Sequence, residues 1–122
     1  MTGSKLIDSS VWLSYFLNGE FQNIIESEEI IFLSALSIFE IKKKLSKNNF
    51  PHSKISESLE FIKKRSIIVP INVEIAEKAA EISLNHNLPA ADSLIYSTSL
   101  LNDSILHTID NDFRGLKGVL IL

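Results

Sequence analysis

Residues 88–113 read LPAADSLIYSTSLLNDSILHTIDNDF, and a change of period inside them decides the fold class. Leu88, Ala90, Ala91, Leu94, Ile95 and Leu100 fall where a core-packed helix over 90–101 would place them, with Pro89 opening it. After the turn LND, with Asp103, the short run SILHTI at 104–109 is rich in Ile and Leu, as strands covered on both faces are. Working outward, the same kind of run recurs as KLID at 5–8, EIIFLSA at 29–35, SIIVPI at 66–71 and GVLIL at 118–122. Helical patterns lie between them. Val11 to Leu17 follows the first run, and a short helix is expected over 20–27. Further stripes are Ile38, Ile41 and Leu45; Ile55, Leu59 and Ile62; and Ile75, Ala79 and Ile82 with Ala76 and Ala80. Strands alternating with helices predict an α/β fold with a parallel sheet of about five strands, helices on both faces.

The totals fit that picture. A chain of 122 residues, 45% hydrophobic and 22% charged, suits one globular domain spanning 1–122. No repeat, linker or low-complexity tract divides it. No apolar run reaches membrane-span length and MTGSKLID is not a signal peptide, so a cytoplasmic protein without a membrane partner is expected. The absence of cysteine excludes disulfides, thiolate metal sites and cysteine nucleophiles. A net charge of −3 argues against a general nucleic-acid coat. Local basic clusters stand out all the same, at Lys42, Lys43, Lys44 and Lys47 and at Lys63, Lys64 and Arg65.

The acidic residues are placed unevenly. Asp8 ends the first strand, Asp110 and Asp112 follow the fourth, and Asp92 heads the helix leading into it. Glu40 sits among apolar residues in SIFEI, just after the second strand. Each has an ordinary structural explanation: Asp8 as a helix cap, Ser37 and Glu40 as a capping box, Asp110 and Asp112 in an Asx turn, Asp92 at a helix dipole. Together they suggest something else. In a doubly wound sheet, strands one and four are neighbours and their ends share one crevice. Crowded carboxylates need a cation or a raised pKa. With oxygen donors only, the expected ion is hard, Mg²⁺ or Mn²⁺.

Taken in order, LIDSSVW, SIFEI, LPAADSLIYSTSL and HTIDNDF resemble a PIN domain, and the length resembles the VapC-type toxins of prokaryotic toxin–antitoxin pairs. The resemblance runs from about Lys5 to Leu122. It implies a PIN-like three-layer α/β/α fold and a metal-dependent endoribonuclease that leaves a 3′-hydroxyl and a 5′-phosphate. It places an acidic quartet on Asp8, Glu40, Asp92 and Asp110, with Asp112 as an accessory acid and metal contacts from Asp8, Asp92, Asp110 and Asp112. Ser10 and Thr108 match the accompanying hydroxyls. One or two ions, a cognate antitoxin and a homodimer are implied as well.

Glu40 is then a candidate for positioning the attacking water. Lys42, Lys43, Lys44 and Lys47 start beside it and become candidates for holding RNA. Lys63, Lys64 and Arg65 are expected to form a solvated face, His107 to be a satisfied core histidine, and Trp12, Tyr15 and Phe16 to make core and subunit contacts. An aspartyl-phosphate phosphatase is disfavoured because residue 10 is Ser rather than Asp. A receiver domain is disfavoured by the missing acidic pair near strand one. A non-catalytic PIN-like module that binds RNA or protein is the alternative, against which the complete quartet speaks.

Overall fold

The computed structural model describes residues 4–122. In chain order the elements are β1 (Lys5–Ile7), α1 (Ser9–Asn18), α2 (Gln22–Ile25), β2 (Ile31–Ser34), α3 (Ala35–Lys47), α4 (His52–Arg65), β3 (Ile67–Val69), α5 (Val73–His86), α6 (Ala90–Leu101), β4 (Ile105–Thr108), a 3₁₀ turn (Asn111–Phe113) and β5 (Val119–Ile121). The five strands form one sheet in the order β3-β2-β1-β4-β5, every pair parallel.

Three layers follow from the alternation of side chains along β1. Ile7 points into a cluster with Val11 and Trp12 of α1, Ile41 and Leu45 of α3, and Ile55 and Ile62 of α4. Leu6 points the other way, into a cluster with Ile82, Ile95, Tyr96 and Phe113. Both side chains are fully buried, each worth about 1.5–3 kcal/mol of apolar transfer. A strand of three residues therefore holds both helical layers to the sheet. The expected α/β/α architecture is what the chain adopts.

Several boundaries differ from those expected. The strands are shorter than their apolar runs, and β3 stops before Pro70, which has no N–H for the ladder. Helix α1 begins at Ser9, two residues before Val11, and ends at Gly19, whose φ of +70° suits a left-handed cap donating to Tyr15 O at 3.0 Å. Helix α2 covers only four residues, and Pro89 stands just before α6 rather than inside it. The parallel β4–β5 connection is short for its kind. It turns on the 3₁₀ segment and on Gly115 and Gly118, at φ +87° and +78°.

The basic run ending α4 is not wholly a solvated face. Lys63 pairs with Glu60, but the Arg65 guanidinium donates to the carbonyls of Ile25 (2.5 Å), Ser27 (2.7 Å) and Glu29 (3.0 Å). It ties the end of α4 to the turn that feeds β2, a task suited to the planar arginine fork. Among the described residues, no helix is long and apolar enough to cross a membrane.

Candidate active site

The sheet order creates one particular crevice. From β1 the chain steps outward to β2 and β3, then returns to lay β4 against the other side of β1. Ligand sites of open α/β sheets lie beyond the carboxyl ends of strands at such a reversal. Asp8 leaves β1 there and Asp110 leaves β4 there, with Ile7 opposite His107 and the Asp8 N–H donating to His107 O at 3.0 Å. The first turns of α3 and α6 start beside them.

Asp8 lies deepest. Its Oδ2 accepts from Ser10 Oγ at 2.7 Å and from Thr108 Oγ1 at 2.8 Å. Thr108 Oγ1 in turn accepts from the Asp110 N–H at 2.9 Å, and Ser10 Oγ from the Ile109 N–H at 3.3 Å. Each hydroxyl proton is thus committed to Asp8, so the 3.3 Å approach of the two hydroxyls is a contact rather than a further bond. Burial pushes the Asp8 carboxyl up from its ordinary pKa, the two hydroxyls pull it down, and the charge of Asp110 adds to the rise. Although Asp8 occupies the cap position of α1, its side chain makes no capping hydrogen bond.

Asp92, Asp110 and Asp112 converge above it. Each offers a carboxylate oxygen, and these atoms lie within 4.8 Å of one another. Burial, followed by the charges of Asp110, Asp8, Asp112 and Glu40, lifts Asp92 to a pKa of about 6. Asp110 also accepts from the Asp112 N–H at 2.9 Å, so the Asx turn exists and orients the Asp110 carboxylate. Glu40 is half-buried and accepts from Ser9 Oγ at 3.0 Å. Burial raises its pKa, Ser9 opposes this, Asp8 and Asp110 raise it, and Lys44 lowers it.

A family model of the PIN domain matches residues 5–119. The chain belongs to the PIN-domain family. Solved structures with the same fold as this PIN domain include a toxin–antitoxin complex from Klebsiella pneumoniae (21% identity over 95% of each chain, TM-score 0.78). VapBC2 from Rickettsia felis bound to a promoter DNA fragment is another (12% identity, 98% and 97% of the two chains, TM-score 0.78). A third is VapC20 of Mycobacterium tuberculosis, a sarcin-ricin loop cleaving toxin (14% identity, 94% and 96%, TM-score 0.77). No curated protein matches the chain.

Within this PIN domain, the residues singled out from sequence meet unequally. Asp92, Asp110 and Asp112 form the closest group, and Asp112, expected as an accessory acid and metal contact, is a full member of it. Asp8 stands beneath with one oxygen already engaged. The donors are all carboxylate oxygens in a chain without cysteine, which fits a hard divalent ion. The capping box of Ser37 and Glu40 is not formed. Helix α3 starts at Ala35, capped by Ser34 Oγ accepting from Leu36 N–H at 3.2 Å, and Ser37 is buried inside the helix with no hydrogen-bond partner. Ser9, which holds Glu40, was not anticipated; its only sequence signal is its place after Asp8 in DSS. His107 is a core histidine, as expected, with Nδ1 3.1 Å from Ile105 O. Lys43, Lys44 and Lys47 line a cleft of about 350 Å³ beginning at Ser9 and Glu40, and Lys42 is not in its lining.

Because Glu40 caps nothing, Glu40→Ala and Glu40→Gln should melt within about 2 °C of each other without metal in a Ser9→Ala background, where the Ser9 hydroxyl holds neither. A lost cap would separate them by about 1 kcal/mol, roughly 3–5 °C for a domain of this size. Differential scanning calorimetry in EDTA reads the difference.

Proposed function

We propose that this PIN domain is a metal-dependent endoribonuclease and the toxin of a type II toxin–antitoxin pair. The supporting observation is the convergence of Asp92, Asp110 and Asp112, with Asp8 beneath, at the reversal point of the sheet. Asp8, Asp92, Asp110 and Asp112 would hold Mg²⁺ or Mn²⁺, one or two ions. Such an ion supplies Lewis acidity at the phosphoryl oxygens and makes water acidic enough to attack at neutral pH.

The chain's own groups do the rest. Asp110 is set by its turn and Asp92 stands in the first turn of α6, so these two carboxylates need little reorganisation. Thr108 and Ser10 fix Oδ2 of Asp8, and among the described residues its other oxygen has no side-chain donor. Glu40, steadied by Ser9, is placed to accept a proton from the attacking water. The water oxygen bonds to phosphorus while the bond to the 3′-oxygen breaks, and the departing oxygen takes a proton from solvent, giving 5′-phosphate and 3′-hydroxyl ends. Purified protein should cut a structured RNA in Mg²⁺ or Mn²⁺ and stop in EDTA. Binding without cutting in both metals would leave the non-catalytic module instead.

The partners proposed are RNA, a cognate antitoxin and a second copy of the chain, in the cytoplasm. The exposed Val73 and Leu84 of α5 support self-association. An antitoxin that presents a basic side chain to the carboxylates would compete with the cation for one site. Its inhibition should therefore weaken as Mg²⁺ rises, measured with excess RNA. Inhibition indifferent to Mg²⁺ would indicate a blocked RNA groove.

A further inference from the structure

The cleft between α1 and α3 has one wall that the acidic site does not use. Phe39 of α3 is 60% exposed, although its neighbour Glu40 is half-buried. Its neighbours one and two helical turns on are Lys43 and Lys47, which face the same cleft. Lys43 Nζ lies 5.6 Å from the centroid of the Phe39 ring, so a cation already flanks the aromatic surface. Lys44 is drawn to Glu40, whose ionised form it favours. Among the described residues, Lys43 and Lys47 have no acidic partner within salt-bridge distance.

The cleft opens at Ser9 and Glu40 and follows α3 to Lys47. Eight residues of helix separate Phe39 from Lys47, about 12 Å at 1.5 Å per residue. An exposed ring interleaved with free cations suits a polyanion with flat bases, because aromatic faces stack bases and lysines take phosphates. A base inside a duplex is covered on both faces and cannot stack on Phe39. An apolar protein segment would leave the lysines unpaired.

We propose that this cleft binds an unpaired nucleotide of the RNA, its base stacked on Phe39 and its backbone phosphates held by Lys43 and Lys47. The subsite rests on the ribonuclease reading and makes it more specific: the scissile bond lies next to single-stranded RNA, in a loop or bulge. Aromatic stacking supplies affinity with little sequence preference, and the lysines supply a salt-dependent part.

Equilibrium binding in EDTA separates this subsite from catalysis. The probes are a fluorescent mixed-sequence single-stranded RNA of twelve nucleotides and the same strand annealed to its complement. Wild type should bind the single strand at least tenfold more tightly than the duplex. Phe39→Ala should remove most of that preference and Phe39→Tyr should keep it; Phe39 is exposed enough for both variants to fold. Lys43→Ala and Lys47→Ala should weaken both probes and each lower the slope of log affinity against log salt by about 0.7. Equal binding of the two probes by wild type, or a Phe39→Ala protein that keeps the preference, overturns the proposal. So does a Phe39→Ala protein that loses only antitoxin binding, which would make the cleft a protein groove. Failure of the ribonuclease reading looks different: RNA binding that depends on Phe39, with no cleavage when Mg²⁺ is added.

Discussion

Asp92→Asn will lower Mg²⁺-dependent RNA cleavage by about a thousandfold or more, a loss of roughly 4 kcal/mol of transition-state stabilisation. The substitution keeps the shape of a residue in the first turn of α6 and removes only its charge. That charge is one of three carboxylates within 4.8 Å, and the Asp110 carboxylate, already held by the Asp112 N–H, is not free to move into its place. Asp8→Asn should do comparable damage for another reason. Asn can accept the two hydroxyl donors, but its NH₂ then faces the crevice where an anionic oxygen stood. Asp103→Asn is the control, being a left-handed turn residue outside the site. Initial rates on one RNA substrate, with circular dichroism to verify folding, decide the matter. Near-wild rates for Asp92→Asn would remove the carboxylate cluster from catalysis.

The second large effect concerns protons. A cation binds the ionised carboxylate, and Asp92 has a pKa of about 6 in the metal-free fold. Apparent Mg²⁺ affinity should therefore fall about tenfold between pH 7 and pH 5, where the ionised fraction drops by that factor. Stability of the metal-free protein moves the opposite way. The folded pKa of Asp92 lies above its ordinary 3.8, so its ionised form is disfavoured by folding. This cost is absent below pH 4, develops as pH rises through about 6, and is complete above. Asp92→Asn should melt roughly 3–5 °C above wild type at pH 7.5 in EDTA, and level with it at pH 4. Buried His107, with a lowered pKa, destabilises the fold as pH falls. It is common to both proteins and cancels in the comparison. Saturating Mg²⁺ should reverse the order at pH 7.5, since only the wild type binds the ion well. Isothermal titration and thermal melts across this range test both parts.

The layering of the fold could be read from the chain because its signals are local and repeated. Runs such as SILHTI and IIFLS have no polar face, and the stripes between them show one. The gathering of Asp8, Asp92 and Asp110 could be read because strand order in a doubly wound sheet brings β1 beside β4. What escaped is what depends on depth and on competition between equivalent residues. LSALSIFE contains two serines three apart, and only the end of β2 decides that Ser34 caps α3 while Ser37 goes inside. Asp8 and Asp112 are both aspartates near strand ends, yet one is buried under two hydroxyls and the other is exposed. Arg65 sits in a basic run whose outer members reach solvent, and its carbonyl partners come from a turn some forty residues earlier.

The bond from Thr108 to Asp8 joins residues one hundred positions apart, and that separation has a consequence in time. A chain emerging from the ribosome presents Asp8 and Glu40 long before β4 exists to complete the crevice. Nothing in the first three strands can substitute for Asp92, Asp110 and Asp112. At about 5–20 residues per second, synthesis leaves an interval of roughly 5–20 s between the first carboxylate of the site and the last. On the proposed ribonuclease reading, the nascent protein lacks its site throughout that interval, and a partner that recognises α1 or α3 has time to engage before any RNA is cut.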